Sequence, residues 1–165
     1  MHRFFITVLR GGIATAILFG LFGQLVVIPT TAADEVDGFP PYAPYAVPYT
    51  VVAIAGVACV QVVLAAAWKL LTMVERDAIF SPAAFRWVDT VIGSTIAATL
   101  LALAVSCHLM LADIPSPDDG MELIGALGAA TATTVIGACL VMLIVIMRGL
   151  LRKANDMKSE LAVVV

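Results

Sequence analysis

Four stretches of this chain, 11–33, 38–68, 90–112 and 123–147, contain no Asp, Glu, Lys or Arg. A helix needs about 20 residues to cross the roughly 30 Å hydrocarbon layer of a bilayer, and each stretch holds such a run. No soluble fold of 165 residues could hide this much apolar surface, because a small domain leaves a large share of its area in water. Lipid offers no partner to backbone N–H and C=O groups, so only helices or a closed barrel can span it. Barrel strands alternate in polarity, whereas "VVAIAGVACVQVVLAAAWKLL" is apolar all round. The expectation is an all-α integral membrane four-helix bundle with helices at about 5–28, 48–71, 89–112 and 122–147, a single domain over 1–165. The basic start and apolar run at the N-terminus also fit a signal peptide, but the run exceeds the usual length and is read as a retained helix.

Charge sets the expected orientation. All nine Lys and Arg lie at the N-terminus (Arg3, Arg10), after the second helix (Lys69, Arg76, Arg86) or in the tail (Arg148, Arg152, Lys153, Lys158). The other two loops carry only acids: Asp34, Glu35, Asp37, Asp113, Asp118, Asp119 and Glu122. Basic residues stay on the cytoplasmic side of short loops, so both termini and the loop between helices two and three are expected there. Trp68 and Trp87 then flank the inner boundary, and Tyr42, Tyr45 and Tyr49 the outer one. The four prolines of "GFPPYAPYAVPYT" predict an extended, stiff collar before the second helix.

Helix packing in lipid depends on close backbone approach, which small residues permit. Gly12, Ala16 and Gly20 in the first helix and Gly125, Ala129, Thr133 and Gly137 in the fourth recur at four-residue spacing. Packing within the chain is the plain expectation, and a homodimer interface the alternative. Gln61 is the one strongly polar side chain near a midplane and is expected to bridge helices.

Catalytic chemistry finds no foothold. No ionisable side chain sits near a midplane, where a proton-coupled transporter would need one. His2 and His108 fall at opposite ends and cannot clamp a haem iron between them. Cys59, Cys107 and Cys139 lie within spans at no zinc spacing. Nucleophile elbows, phosphate loops and dinucleotide turns do not occur. The expectations are no enzyme, cofactor or metal, and with a pI of about 5.2 and no reading motif, no direct nucleic acid.

The inner face carries the remaining pattern. Ser81-Pro82 reads as a helix start, since Ser can accept from orphan amides and Pro fits the first turn. Phe80, Phe85 and Trp87 suit the headgroup layer beside Arg86, which can pair with Asp89, giving a short amphipathic elbow. In the tail, Met147, Leu150, Ala154, Met157, Leu161 and Val164 form an apolar seam among Arg152, Lys153 and other charges, read as a helical extension of the fourth helix. That seam fits packing on the elbow or on the membrane, helped by anionic lipid, or docking of a cytosolic protein.

"LLTMVERDAIFSPAAFRWVDTVIG", followed by "RGLLRKANDMKSELAVVV", resembles the YoaS-like family of small bacterial membrane proteins, a domain of unknown function. The resemblance rests on Phe80-Ser81-Pro82, Arg86 and the tail from Leu151-Arg152-Lys153-Ala154 to Glu160-Leu161, within a four-helix layout covering nearly the whole chain. "RDAIF" and the ending "LAVVV" depart from the family pattern. The resemblance implies a four-helix inner-membrane protein whose genes often neighbour a small helix-turn-helix regulator.

Together these readings predict a multi-pass protein of the bacterial plasma membrane, embedded in its lipid bilayer. Its expected role is to anchor or sense, docking a cytosolic helix-turn-helix regulator through Phe80, Ser81, Pro82, Phe85, Arg86, Trp87, Arg152, Lys153, Met157 and Leu161. A small permease or channel subunit, with Gln61 on its path, and an accessory subunit of a membrane complex are the alternatives.

Overall fold

A computed structural model of the chain describes residues 2–75, 82–117 and 120–163. The described residues hold four helices long and apolar enough to cross a membrane. The first is composite: α1 (His2–Phe22) passes through a five-residue π-helical segment, Gly23–Val27, into α2 (Ile28–Gly38). Pro29 explains the widened turn. It has no N–H to donate, and its ring crowds the carbonyl one turn back. Opening the helix just before it, where the Ile28 N–H reaches the Gly23 carbonyl, relieves that crowding. The Thr30 hydroxyl then donates to the Val26 and Val27 carbonyls at 2.7 and 3.1 Å.

Phe39 breaks the helix, with φ −141° and ψ 89°. A single 3₁₀ turn, Pro40–Tyr42, leads directly into α3 (Ala43–Glu75). The extended collar expected over the proline run is therefore replaced by helix. Pro44 stands in the first turn of α3, where a missing N–H costs nothing, and the helix continues through Pro48. Likewise Asp34, Glu35 and Asp37 lie on α2 rather than in a loop. Charge ends a hydrophobic run, but it does not end a helix.

The remaining helices are α4 (Pro82–Leu111) and α5 (Met121–Val163). Gly120 precedes α5 with a φ of 78°, a left-handed conformation that glycine adopts without penalty. Its carbonyl accepts the Ile124 N–H at 2.9 Å, closing the first turn. The 43 residues of α5 extend about 65 Å, well over the hydrocarbon thickness. Every span is longer than its apolar run, because helix propagation outlasts the lipid boundary.

Close backbone approach occurs between chain neighbours: α1 and α2 on α3, α3 on α4, and α4 on α5. Each pair is antiparallel. Arg10 near the start of α1 pairs with Glu75 at the end of α3, and Gln24 Nε2 donates to the Ile54 carbonyl at 3.1 Å. Tyr49 early in α3 meets His108 late in α4, and Arg148 late in α5 pairs with Asp89 early in α4. The interior is thin. Among the described residues Ile13, Ala66, Ala84 and Leu109 are its buried apolar side chains, whereas Phe4, Phe19, Leu100 and Met142 are exposed. That arrangement would be ruinous in water and is ordinary in lipid, where exposed apolar side chains carry no penalty.

The small residues divide into two groups. Gly20 lies against Gln61, whose Nε2 would be 2.8 Å from an added Cβ and also reaches the Ile17 carbonyl at 3.5 Å. Gly137 lies against Thr99, and a Cβ there would collide with its hydroxyl. An added Cβ at Gly12 or Gly125 meets nothing within 4 Å, and Ala16 and Ala129 are exposed. Gly137→Leu should therefore destabilise the chain by about 1–3 kcal/mol in detergent melts, whereas Gly12→Leu should leave the midpoint unchanged. An equal drop for both would contradict this packing.

Candidate functional site

Two clusters of polar side chains stand at opposite ends of the helices. At the basic end, Arg10 bonds the Thr72 hydroxyl at 3.2 Å, pairs with Glu75, and lies 5.8 Å over the Trp68 ring centroid. Asp89 pairs with Arg148 through Nη2 at 2.9 Å rather than with Arg86, so the expected local pair gives way to one that joins α4 to α5. A contact across helices fixes two elements, whereas an i,i+3 pair fixes only one.

The same end carries the residues expected to dock a partner. Phe85 and Trp87 are half-buried and Arg86 is exposed on the first turns of α4. Phe80 and Ser81 lie outside the described residues, as do the side chains of Pro82 and Leu161. Arg152, Lys153 and Met157 are exposed on α5, which continues about 22 Å beyond Arg148 to Val163. Leu150 is exposed as well.

At the acidic end, α2, α3, α4 and α5 enclose an open cavity of about 750 Å³. Its walls are mostly aliphatic, with Val27, Ile28 and Leu109 among them. Tyr42, Tyr45 and Tyr49 line one side, and Glu35 and Glu122 also line it. Tyr45 and Tyr49 come from one face of α3 because they are four residues apart, and Tyr42, at the end of the 3₁₀ turn that leads into α3, continues that side. Tyr42 donates to Glu122 Oε2 at 3.4 Å and its ring meets Phe39 edge-on at 4.9 Å. Tyr49 Oη and His108 Nδ1 are 2.8 Å apart, and the Tyr45 ring lies 6.2 Å from the imidazole. His108 is thus a partner for the tyrosine face of α3, at the helix end where it was expected.

An extended reading of the proline run hides this cavity, which forms because the run is helical. Read as helix, the 42, 45, 49 spacing places three rings on one side. The thiols of Cys59, Cys107 and Cys139 are free. Among the described residues, no group of three His, Cys, Asp or Glu side chains could hold a metal.

Tyr49→Phe removes one exposed hydrogen bond between α3 and α4 and should cost about 0.5–1 kcal/mol by thermal unfolding. His108→Ala in the Tyr49→Phe background should then add less than it does alone. Strict additivity would show that the pair contributes nothing.

A family model described as "Protein of unknown function (DUF2975)" matches residues 30–165, a region that includes all of α3, α4 and α5. Neither a curated protein nor a solved structure matches the chain.

Proposed function

The chain belongs to the DUF2975 family of proteins of unknown function, and on that premise we propose that it is a non-enzymatic membrane anchor or sensor that docks a cytosolic regulator. On this reading it is a multi-pass protein of the bacterial plasma membrane with both termini in the cytoplasm. The confinement of all nine Lys and Arg to residues 3–10, 69–86 and 148–158 supports that orientation. The YoaS-like resemblance in "FSPAAFRW" belongs to the same reading, and it suggests a small helix-turn-helix protein as the regulator.

The observation that carries the proposal is the exposed extension of α5 beyond Arg148. A helix that leaves the membrane with Leu150 and Met157 exposed beside Arg152 and Lys153 is an amphipathic element of the kind that seats in a groove of another protein. The elbow at Phe85, Arg86 and Trp87 would form the base of the same surface.

The cavity at the other end favours a second reading, a small permease or channel subunit. There Gln61 would be expected to matter, although its amide lies against α1 and Gly20, a packing role. Substrate uptake into proteoliposomes, lost in Gln61→Leu, would support that reading against the anchor.

Pull-down of the neighbouring regulator with the full chain should succeed. It should fail with a chain ending at Arg148, and weaken at least about tenfold with the Leu150→Asp, Met157→Asp variant, a loss of 1.4 kcal/mol or more. Equal recovery from all three would overturn docking through α5.

A further inference from the structure

The cavity at the acidic end combines three features that point to one ligand chemistry. Its walls are aliphatic, so the ligand has an apolar body. Tyr42, Tyr45 and Tyr49 present half-buried rings along one side. Glu35 and Glu122 add two carboxylates, and among the described residues no lysine or arginine lines the space. Both carboxylates are exposed at the mouth of the open cavity, so a neutral apolar ligand would leave their charge unused and an anion would be repelled. A bulky cation satisfies all three, because ring faces attract positive charge and tolerate alkyl substituents around it.

The two carboxylates are not equally accounted for. Glu122 stands in the first turn of α5, where the helix dipole favours negative charge, and accepts the Tyr42 hydroxyl. Glu35 stands in the last turns of α2, beside Asp34 and Asp37 and with no basic residue in that turn, where the dipole disfavours it. Among the described residues, neither ion pair includes it. The electrostatics at that helix end are therefore arranged to welcome positive charge.

We propose that this cavity binds an apolar organic cation, an alkylated ammonium or its phosphonium equivalent, between the tyrosine face of α3 and the carboxylates of Glu35 and Glu122. The ammonium can arrive as a free lipophilic cation or as the headgroup of a lipid. The site lies at the helix ends rather than at the midplane, so it is a binding site and needs no central acid. It stands whether or not α5 docks a regulator.

Equilibrium dialysis of radiolabelled tetraphenylphosphonium against the full chain in phosphatidylglycerol nanodiscs, with empty discs as the blank, tests this. Saturable binding is expected. The Glu35→Gln, Glu122→Gln variant should weaken it at least about tenfold, and Tyr45→Leu about fivefold. Glu75→Gln, at the other end, should leave it unchanged, and neutral triphenylphosphine oxide should not compete. Circular dichroism and elution volume identify any variant that fails to fold. Competition by an ethanolamine lipid in the discs would assign the site to a headgroup, and its absence to a free cation. Binding no greater than to empty discs, binding unaffected by the double substitution, or equal competition by the neutral compound would overturn the proposal.

Discussion

Every peptide group that enters hydrocarbon must find its partner within its own helix, and the rest of this fold follows from that requirement. It forces helices that continue past the lipid boundary, since an early end would expose orphan amides and carbonyls to oil. The chain meets the requirement even where its sequence resists. At Pro29 the helix widens into a π turn and Thr30 bonds the neighbouring carbonyls. At Pro44 and Pro48 it continues. With the backbone self-sufficient, little energy remains to hold helix to helix. The contacts that do so include Gln61 on Gly20, Gln24 on the Ile54 carbonyl, Gly137 on Thr99, Tyr49 on His108, and the ion pairs of Arg10 and Arg148.

That economy makes α5 the element of most interest. It is held near one end by Tyr42 at Glu122 and near the other by Asp89 at Arg148, and it then continues to Val163 with Leu150 and Met157 exposed. Glu122 lines the cavity and Met157 is exposed on the extension, so one continuous helix belongs to both proposed surfaces. On the proposed reading, a ligand that repositions Glu122 acts on the same body that carries the docking surface.

Much of this was legible in the residues. The four charge-free stretches locate the spans, because lipid excludes charge whatever the fold. Gln61 could be assigned a bridging role because a lone amide in hydrocarbon must find a partner. The helix ends were not legible, because hydropathy marks where lipid stops and says little about where backbone pairing stops. Thus Asp34, Glu35 and Asp37 became α2, and the prolines before Tyr49 became the first turns of α3. The partner of Asp89 was hidden for another reason. Local spacing suggests Arg86, and only packing of α4 on α5 brings Arg148 to it. The cavity belongs to the same class, since four elements meet there that no local pattern connects.

The central claim is that the two charged ends of the helices stand in different aqueous compartments, with lipid between. Single cysteines at Asp37 and at Lys153, in a chain lacking Cys59, Cys107 and Cys139, can be probed with a membrane-impermeant maleimide. In intact cells the account predicts labelling at position 37 and protection at 153, with both labelled once the membrane is opened. Labelling at 153 in intact cells, or equal labelling of both, would contradict it.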